Sequence, residues 1–196
     1  MQPPTATGSQ EAVLHLIPTD EERQIREAVR GICSGFGPDY VAGLYERGEP
    51  PAELWHALAE KGYLGVNLPE EWGGGGLGMA ALATVGEEIS ASGNSLLLIV
   101  VSPAIAGSIL ARHGSDDQKE RWLRGIAAGT TRLAFAITEP DAGTNSHNLQ
   151  TSLERKGDRF VLRGQKTFIS GVEFADAVLV VARSRNPDGA LGLPSL

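Results

Sequence analysis

Residues 135–145 read FAITEPDAGTN, and residues 166–170 read KTFIS. The first segment begins with alternating apolar residues, as a β-strand does, and continues into a turn that contains Pro, Asp and Gly. On composition alone it is an ordinary strand and turn, with Glu139 and Asp141 as solvent-facing acids. The second segment follows at a separation that lets a hairpin return an aromatic and a hydroxyl side chain to the first strand. Together the segments predict a surface that stacks and hydrogen-bonds a flat ring system.

Strand patterns continue through residues 132–196, which we interpret as a β-domain. A glycine in the KGD sequence at 156–158 predicts a hairpin turn with a positive φ at that glycine. The predicted strands lie at 149–155, 159–163, 166–169 and 178–181, and a further turn lies at 186–189. The last six residues have neither a cap nor the composition of a tail, so we expect the sequence to end inside this β-domain.

Residues 19–131 carry the patterns of a helical domain. Thr19 with Glu22 and Ser115 with Gln118 have the spacing of capping boxes, each of which predicts a helix start. Apolar side chains then recur at helical spacing. The stripes are Ile25, Ala28, Val29 and Ile32; Leu54, Trp55, Leu58 and Ala59, after Pro51 at a predicted first helical position; and Leu82, Val85, Gly86 and Ile89. Residues 1–18 are predicted to be a disordered tail without a signal peptide.

Residues 95–111, SLLLIVVSPAIAGSILA, carry no charge and approach the length of a membrane span. Pro103 and Gly107 interrupt this run, and it is shorter than the roughly 18 residues that a span requires. We therefore interpret it as a buried, largely apolar helical stretch. No membrane insertion is expected.

Composition excludes several functional classes. The net charge of −7 argues against nucleic-acid binding, and the four scattered histidines predict no metal site. Cys33 is the single cysteine, which excludes an internal disulfide and favours a reduced, cytoplasmic setting. The glycines at 73, 75 and 78 match the spacing of a dinucleotide-binding turn, but no buried strand precedes them, so they are interpreted as a flexible loop.

The two motif segments resemble those of the acyl-CoA dehydrogenases. TEPDAGTN resembles the form TEPxAGS(D/N), GQKTFIS resembles GxKxWIT, and residues 62–78 and 113–123 resemble the helical part of the same family. The resemblance implies an α+β fold, in which an all-helical N-terminal domain precedes an incomplete antiparallel β-barrel-like domain. It also implies that the family's C-terminal four-helix domain is absent from these residues.

The same resemblance implies an FAD site and part of an acyl-CoA site. In it, backbone and hydroxyl groups of Phe135, Ile137 and Thr138 contact the flavin. The ring of Phe168 lies against the flavin, and the Ser170 hydroxyl reaches its N5 region. The Thr144 hydroxyl approaches coenzyme A. Phe168 replaces the more frequent Trp, and Thr144 with Asn145 replaces Ser with Asp. Both exchanges keep an aromatic plane or a hydroxyl.

The implied reaction is α,β-dehydrogenation of an acyl-CoA thioester to a trans-2-enoyl-CoA, an oxidoreductase activity of fatty acid metabolism. In the family the base is a glutamate of the C-terminal domain, so the resemblance places no catalytic residue within these residues, and we reject Glu139 as a substitute. The implied partners are the acyl-CoA substrate, an electron-transfer flavoprotein or similar acceptor, and other subunits of a homo- or hetero-oligomer. A non-catalytic partner subunit and an acyl-CoA oxidase are the alternatives.

Overall fold

The computed structural model describes residues 17–186 and 189–196. The predicted tail at 1–18 therefore lies outside the described residues except for its last two positions. Helices occupy the first part of the described chain. They are α1 (Asp20–Cys33), α2 (Pro38–Arg47), α3 (Ala52–Glu60), α4 (Gly78–Ala91), α5 (Leu97–Ile99), a π-helix (Val100–Gly107), α6 (Ser108–His113) and α7 (Asp116–Ala127), with short 3₁₀ turns at Tyr63–Gly65 and Glu70–Trp72.

Both predicted capping boxes are confirmed. At the start of α1, Thr19 Oγ1 accepts the Glu22 amide at 3.1 Å, and the Thr19 amide donates to Glu22 Oε2 at 2.7 Å. Ser115 and Gln118 make the same reciprocal pair before α7. These bonds satisfy amides that have no partner inside the helix, and they define where each helix begins.

Helix α2 has no counterpart among the sequence predictions. It begins with Pro38 at its first position and ends at Gly48, whose φ of 64° is left-handed. None of its side chains is buried. Its sequence places Tyr40 and Leu44 four residues apart, but the segment is short and contains Gly43, which lowers helix propensity and weakens the pattern on which a prediction depends.

The apolar stretch at 95–111 is helical from Leu97 onward, but it is divided among α5, the π-helix and α6. It is not buried throughout, since Leu97 and Val100 are exposed. Pro103 lies inside the π-helix, and its carbonyl accepts a hydrogen bond from Asn67 Nδ2 at 3.1 Å. Proline has no amide to donate, so the helix widens there instead of continuing as a regular α-helix. Within residues 17–186 and 189–196, no helix is long and apolar enough to cross a membrane.

In the described residues, six strands follow the helices. They are β1 (Leu133–Ala136), β2 (Ser152–Lys156), β3 (Arg159–Arg163), β4 (Ala177–Val180), β5 (Ala182–Arg185) and β6 (Leu191–Ser195). β1 pairs with β4 in one sheet, and the second sheet has the order β3-β2-β5-β6. The predicted α+β class, a helical domain followed by a β-domain, is confirmed.

The strand directions are mixed, whereas an antiparallel sheet was predicted. β2 and β3 form the predicted hairpin around Gly157, whose φ is 65°, and β5 pairs antiparallel with β6. β1 pairs in parallel with β4, and β2 in parallel with β5. Long connections separate the strands of each parallel pair, which is what parallel pairing requires.

The strand predicted at 166–169 is wrong. These residues are irregular, and Phe168 has a φ of 56°, which is incompatible with an extended strand. One backbone bond, from the Thr167 amide to the Thr138 carbonyl at 3.0 Å, still holds the segment beside the end of β1. The predicted proximity of the two motif segments is therefore confirmed, although the geometry that produces it differs.

The glycine-rich segment at 73–78 connects the 3₁₀ turn Glu70–Trp72 with α4, so the interpretation as a loop is confirmed. The loop is tightly packed rather than free. The amides of Gly75 and Gly76 donate to the carbonyls of Gly65 and Leu68 at 3.0 and 2.8 Å. A Cβ on Gly74 would lie 2.2 Å from the Leu68 carbonyl oxygen, a distance that backbone atoms cannot accommodate.

We expect Gly74→Ala to lower the free energy of unfolding by about 1–3 kcal/mol or more, because the added methyl group overpacks a backbone contact. Gly86→Ala is the matched control, since no atom lies within 4 Å of its added Cβ and the position is inside α4. That variant should be unchanged or up to about 1 kcal/mol more stable, as helix propensity favours alanine. Urea unfolding of both variants measures the difference. Equal stabilities would contradict the steric role of Gly74.

Candidate functional site

The two motif segments meet at the side chain of Lys166. Its Nζ donates to the Ile137 carbonyl at 2.8 Å and to Glu139 Oε1 at 2.9 Å. The side chains of Lys166 and Glu139 are only 11% and 5% exposed, so this is a buried ion pair. With the backbone bond between Thr167 and Thr138, it fixes the second segment across the end of β1.

Glu139 accepts further hydrogen bonds from the sequence before β2. The amides of Gln150 and Thr151 donate to its two carboxylate oxygens at 2.7 and 2.9 Å. Burial alone would raise the pKa of this carboxyl. The polar groups of Thr151, Gln150 and Lys166 outweigh burial and lower the pKa of Glu139 to about 2. The carboxyl is therefore ionised at neutral pH.

This environment agrees with the rejection of Glu139 as the catalytic base. A general base that works near neutral pH needs a raised pKa and a free approach to the proton it removes. Glu139 has a lowered pKa, and protein donors occupy both of its oxygens. The interpretation of Glu139 as a solvent-facing acid is wrong, since the residue is 6% exposed.

The two faces of the β1–β4 pair have different surroundings. On one face, Phe135 and Ile137 pack against the buried cluster Ala142, Leu149 and Val181. The other face opens into a cleft of about 480 Å³. Its lining is mostly apolar and comprises Ala136, Thr151, Leu162, Gly164, Lys166, Phe168, Ile169, Val172, Val178 and Val180. Since the side chains of Phe135 and Ile137 are used in packing, their backbone groups are what they can offer a ligand.

Phe168 is 92% exposed and lines this cleft. Its φ of 56° is rare for a residue other than glycine, and such conformations cluster at sites where function requires them. An exposed aromatic ring removes no apolar area from water until something covers it. The ring is thus presented as a flat, uncovered surface at the end of the second motif segment.

Hydroxyl groups lie in the same two segments, although neither Thr138 nor Ser170 lines the cleft. Thr138 and Ser170 are partly buried, and within the described part of the chain neither hydroxyl has a hydrogen-bond partner. Thr167 Oγ1 is buried without a partner among those residues. Thr144 is exposed and lies in a bend just beyond the bridge between Glu139 and Ala142. The structure therefore brings Ile137 and Thr138 into contact with the second segment, while Thr144 stands apart.

Sequence reasoning missed the residues that hold the site together, namely Lys166, Gln150 and Thr151. One signal was present, because the first motif segment carries acids, including Glu139, and the second carries the oppositely charged Lys166. The expectation of no metal site was based on spacing. Residues 17–186 and 189–196 contain no group of three or more His, Cys, Asp or Glu that could hold a metal ion.

Two family profiles match the sequence. The acyl-CoA dehydrogenase N-terminal domain matches residues 19–130, and the acyl-CoA dehydrogenase middle domain matches residues 134–193. The chain belongs to the acyl-CoA dehydrogenase family. The boundary between the two profiles falls where α7 has ended and β1 begins, so the acyl-CoA dehydrogenase domains coincide with the helical and β parts of the fold.

Individual relatives agree with this assignment. The chain is 52% identical over 168 residues to acyl-CoA dehydrogenase fadE12 of Mycobacterium tuberculosis, covering 86% of this chain and 43% of the relative. It is similar to the glutaryl-CoA dehydrogenase of Mycobacterium smegmatis in complex with FADH2, with 28% identity, a TM-score of 0.78, and 85% and 43% of the two chains covered. It also resembles the ChsE4-ChsE5 complex of M. tuberculosis, with 29% identity, a TM-score of 0.74, and 90% and 45% covered. The chain thus spans less than half the length of these acyl-CoA dehydrogenase relatives.

We expect Glu139→Gln to destabilise the chain by about 3–5 kcal/mol at neutral pH, because Lys166 would keep a buried charge without its carboxylate. The lowered pKa of Glu139 means that its carboxylate stabilises the fold above about pH 4.5, and that this contribution is lost as the pH falls toward 2. The variant should therefore lose less stability than the natural chain between these pH values.

Urea unfolding over a pH series measures both effects. Asp141→Asn is the control, since Asp141 is exposed in the same turn and its change should stay within about 0.5 kcal/mol. If the free energy of unfolding falls by the same amount below pH 4.5 in the natural chain and in the Glu139 variant, Glu139 does not carry this pH dependence.

Proposed function

We propose that this chain is the flavin-binding part of an enzyme that carries out α,β-dehydrogenation of an acyl-CoA thioester to a trans-2-enoyl-CoA. The observation that carries the proposal is the ring of Phe168, which is 92% exposed beside the end of β1 and the buried Lys166–Glu139 pair. Family membership supplies the reaction class. Because the chain spans 43% of the fadE12 relative, the activity of the whole protein is part of the proposal.

FAD is the proposed cofactor, and the residues present fit it. A flavin offers a flat face for stacking and an edge of ring nitrogens and carbonyls for hydrogen bonding. Phe168 offers the exposed ring, and Thr138 and Ser170 offer hydroxyls without partners in the described residues. The similarity to a glutaryl-CoA dehydrogenase that holds FADH2 supports this choice.

Most of the proposed contacts use groups without a partner in the described residues, whereas the Ile137 carbonyl already accepts Lys166 Nζ. Phe135 and Ile137 would contribute backbone groups because their side chains are packed against the core. Phe168 would lie against the flavin face, and Ser170 would reach the N5 region. Thr144, exposed in the bend after β1, would approach the coenzyme A portion of the substrate.

When bound, FAD supplies the acceptor for the β-hydrogen of the substrate, which leaves as hydride. The residues of this chain position the ring and keep its surroundings fixed. Lys166 and Glu139 hold the two contact segments together. Lys166, in the second segment, bonds to Ile137 and Glu139 in the first, and the backbone of Glu139 bonds within its own turn. The α-proton needs a base, and we propose that a residue outside this chain supplies it.

A heteromeric arrangement is the second candidate. The ChsE4-ChsE5 structure is a complex, and its similarity to this chain supports a partner subunit that completes its site with another polypeptide. The proposed electron acceptor is an electron-transfer flavoprotein or a similar protein. An acyl-CoA oxidase would pass the electrons to oxygen instead. The buried free thiol of Cys33 agrees with the proposed reduced, cytoplasmic setting.

The function is tested on the protein purified from its natural gene, together with any subunit that copurifies. Anaerobic addition of hexanoyl-CoA should bleach the oxidised flavin absorbance, and mass spectrometry should find a thioester product lighter by two hydrogens. Hydrogen peroxide formed in air at the turnover rate would indicate the oxidase instead. A preparation that contains flavin but is not bleached by any acyl-CoA would contradict the dehydrogenase proposal.

In the same protein, we expect Phe168→Ala to weaken FAD binding about tenfold, because the variant loses a stacked aromatic surface. Phe168→Trp should retain affinity, since it keeps the flat ring. Phe160→Ala is the matched control, because Phe160 is also exposed, at 64%, but lies on β3 outside the cleft. Fluorescence titration of the apoprotein with FAD measures the affinities. Equal weakening by both alanine variants would contradict a specific role for Phe168.

A further inference from the structure

A second cleft, of about 240 Å³, lies between the helical part and the turn that follows Ser170. Its walls come from the connection between α2 and α3, from the segment that leads into α5, and from the 3₁₀ turn Val172–Phe174. Most of the lining is apolar, including Pro51, Trp55, Leu96, Leu98 and Phe174. Trp55 is held in place by a hydrogen bond from its Nε1 to the Gly129 carbonyl at 2.8 Å, so this wall is rigid.

Arg132 brings a positive charge into this apolar cleft. Its backbone is fixed at the start of the β1–β4 pair, because its amide donates to Asp176 Oδ2 at 2.7 Å and its carbonyl accepts the Asp176 amide at 2.8 Å. The guanidinium is less well satisfied. Its Nε lies 4.0 Å from Asp176 Oδ2, and its side chain is only 31% exposed.

The two terminal nitrogens of Arg132 have no hydrogen-bond partner within residues 17–186 and 189–196. A guanidinium presents these nitrogens as a planar fork that matches the two oxygens of a carboxylate. Asp176 approaches only Nε, so the terminal nitrogens remain free for an anionic ligand, and the surrounding apolar wall favours a ligand with an apolar body.

We propose that this cleft binds a carboxylate at the end of a short apolar chain, with Arg132 receiving the carboxylate. Two acidic residues at the cleft restrict the charge of the ligand. Glu49 is paired with Arg47 at 2.7 Å, and Glu173 is an exposed residue of the lining. A second negative charge on the ligand would be repelled by Glu173, so a monocarboxylate is favoured over a phosphate.

Such a carboxylate has two possible sources. One is a free short-chain acid. The other is an acyl group that carries a second carboxylate at its far end, and this source rests on the proposed function. The cleft includes Gly171, which directly follows Ser170, and this source requires an extended acyl group that leads from the proposed flavin site to Arg132. In both cases the group that Arg132 would bind is a carboxylate on an apolar chain.

The first test compares hexanoate with 1-hexanol, which has the same apolar chain without the charge. Isothermal titration of the natural protein should show at least tenfold tighter binding of hexanoate. Arg132→Gln should remove this preference. Arg112→Gln, at an exposed arginine outside the cleft, should preserve it. Equal affinity for the two ligands, or a hexanoate affinity unaffected by Arg132→Gln, would overturn the proposal.

Arg132→Gln should fold normally, because the bonds to Asp176 that fix this position come from the backbone of Arg132. Thermal unfolding checks this, and Arg132→Lys, which keeps the charge but lacks the fork, should retain part of the preference. Should both variants unfold, Glu173→Gln provides a third measurement, since removing the acid should tighten hexanoate binding. Weaker hexanoate binding by a folded Glu173→Gln variant would also overturn the proposal.

The second test identifies the source. Adipoyl-CoA and hexanoyl-CoA have acyl chains of the same length, but only the first ends in a carboxylate. If the acyl group is the source, Arg132→Gln should weaken adipoyl-CoA binding at least tenfold and leave hexanoyl-CoA unchanged. If the two thioesters respond alike while hexanoate still depends on Arg132, the ligand is a free acid. Failure of every thioester to bind would count against the proposed function and would leave the hexanoate result to decide this inference.

Discussion

The arrangement of the β-domain depends on the buried ion pair between Lys166 and Glu139. Lys166 also donates to the Ile137 carbonyl, and Glu139 also accepts the amides of Gln150 and Thr151. One pair of side chains thus connects three separate pieces of backbone. Burying two charges is favourable only when geometry and additional hydrogen bonds satisfy both of them. The pair therefore adds specificity to the fold, because few other arrangements of these segments would satisfy the same groups.

The helical layer positions β1 from the opposite side. Ser102, which is fully buried in the π-helix, accepts the amide of Leu133 at the first residue of β1 at 3.0 Å. Asn67 supports the same π-helix through the carbonyl of Pro103. An uncharged hydroxyl can link the two parts at this depth because it satisfies the Leu133 amide. The π-helix therefore helps to fix the position of β1.

Local signals in the sequence were sufficient for much of the fold. The capping boxes at Thr19 and Ser115 and the glycine of the β2–β3 hairpin act over three or four residues, so their outcome does not depend on distant packing. Helix α2 escaped prediction because it is short and contains Gly43, which lowers helix propensity.

The candidate site was less predictable because its features depend on tertiary contacts. The extended form expected for residues 166–169 fails at Phe168, where a bulky residue takes a left-handed conformation that no local pattern announces. The burial of Glu139 likewise follows from segments that approach it from elsewhere in the chain. The motifs in the sequence predicted the candidate site, and the structure supplied its geometry.

The backbone at Phe168 restricts which residues evolution can place there. A φ of 56° is most easily adopted by glycine or asparagine, and β-branched residues are strongly disfavoured. A stacking role would require a flat ring, which glycine and asparagine lack. Few residues both tolerate this positive φ and offer a flat ring for stacking. An aromatic residue, which is not branched at Cβ, meets both requirements in part. Substitution at this position is expected to be confined to exchange among aromatics, even where the neighbouring sequence drifts.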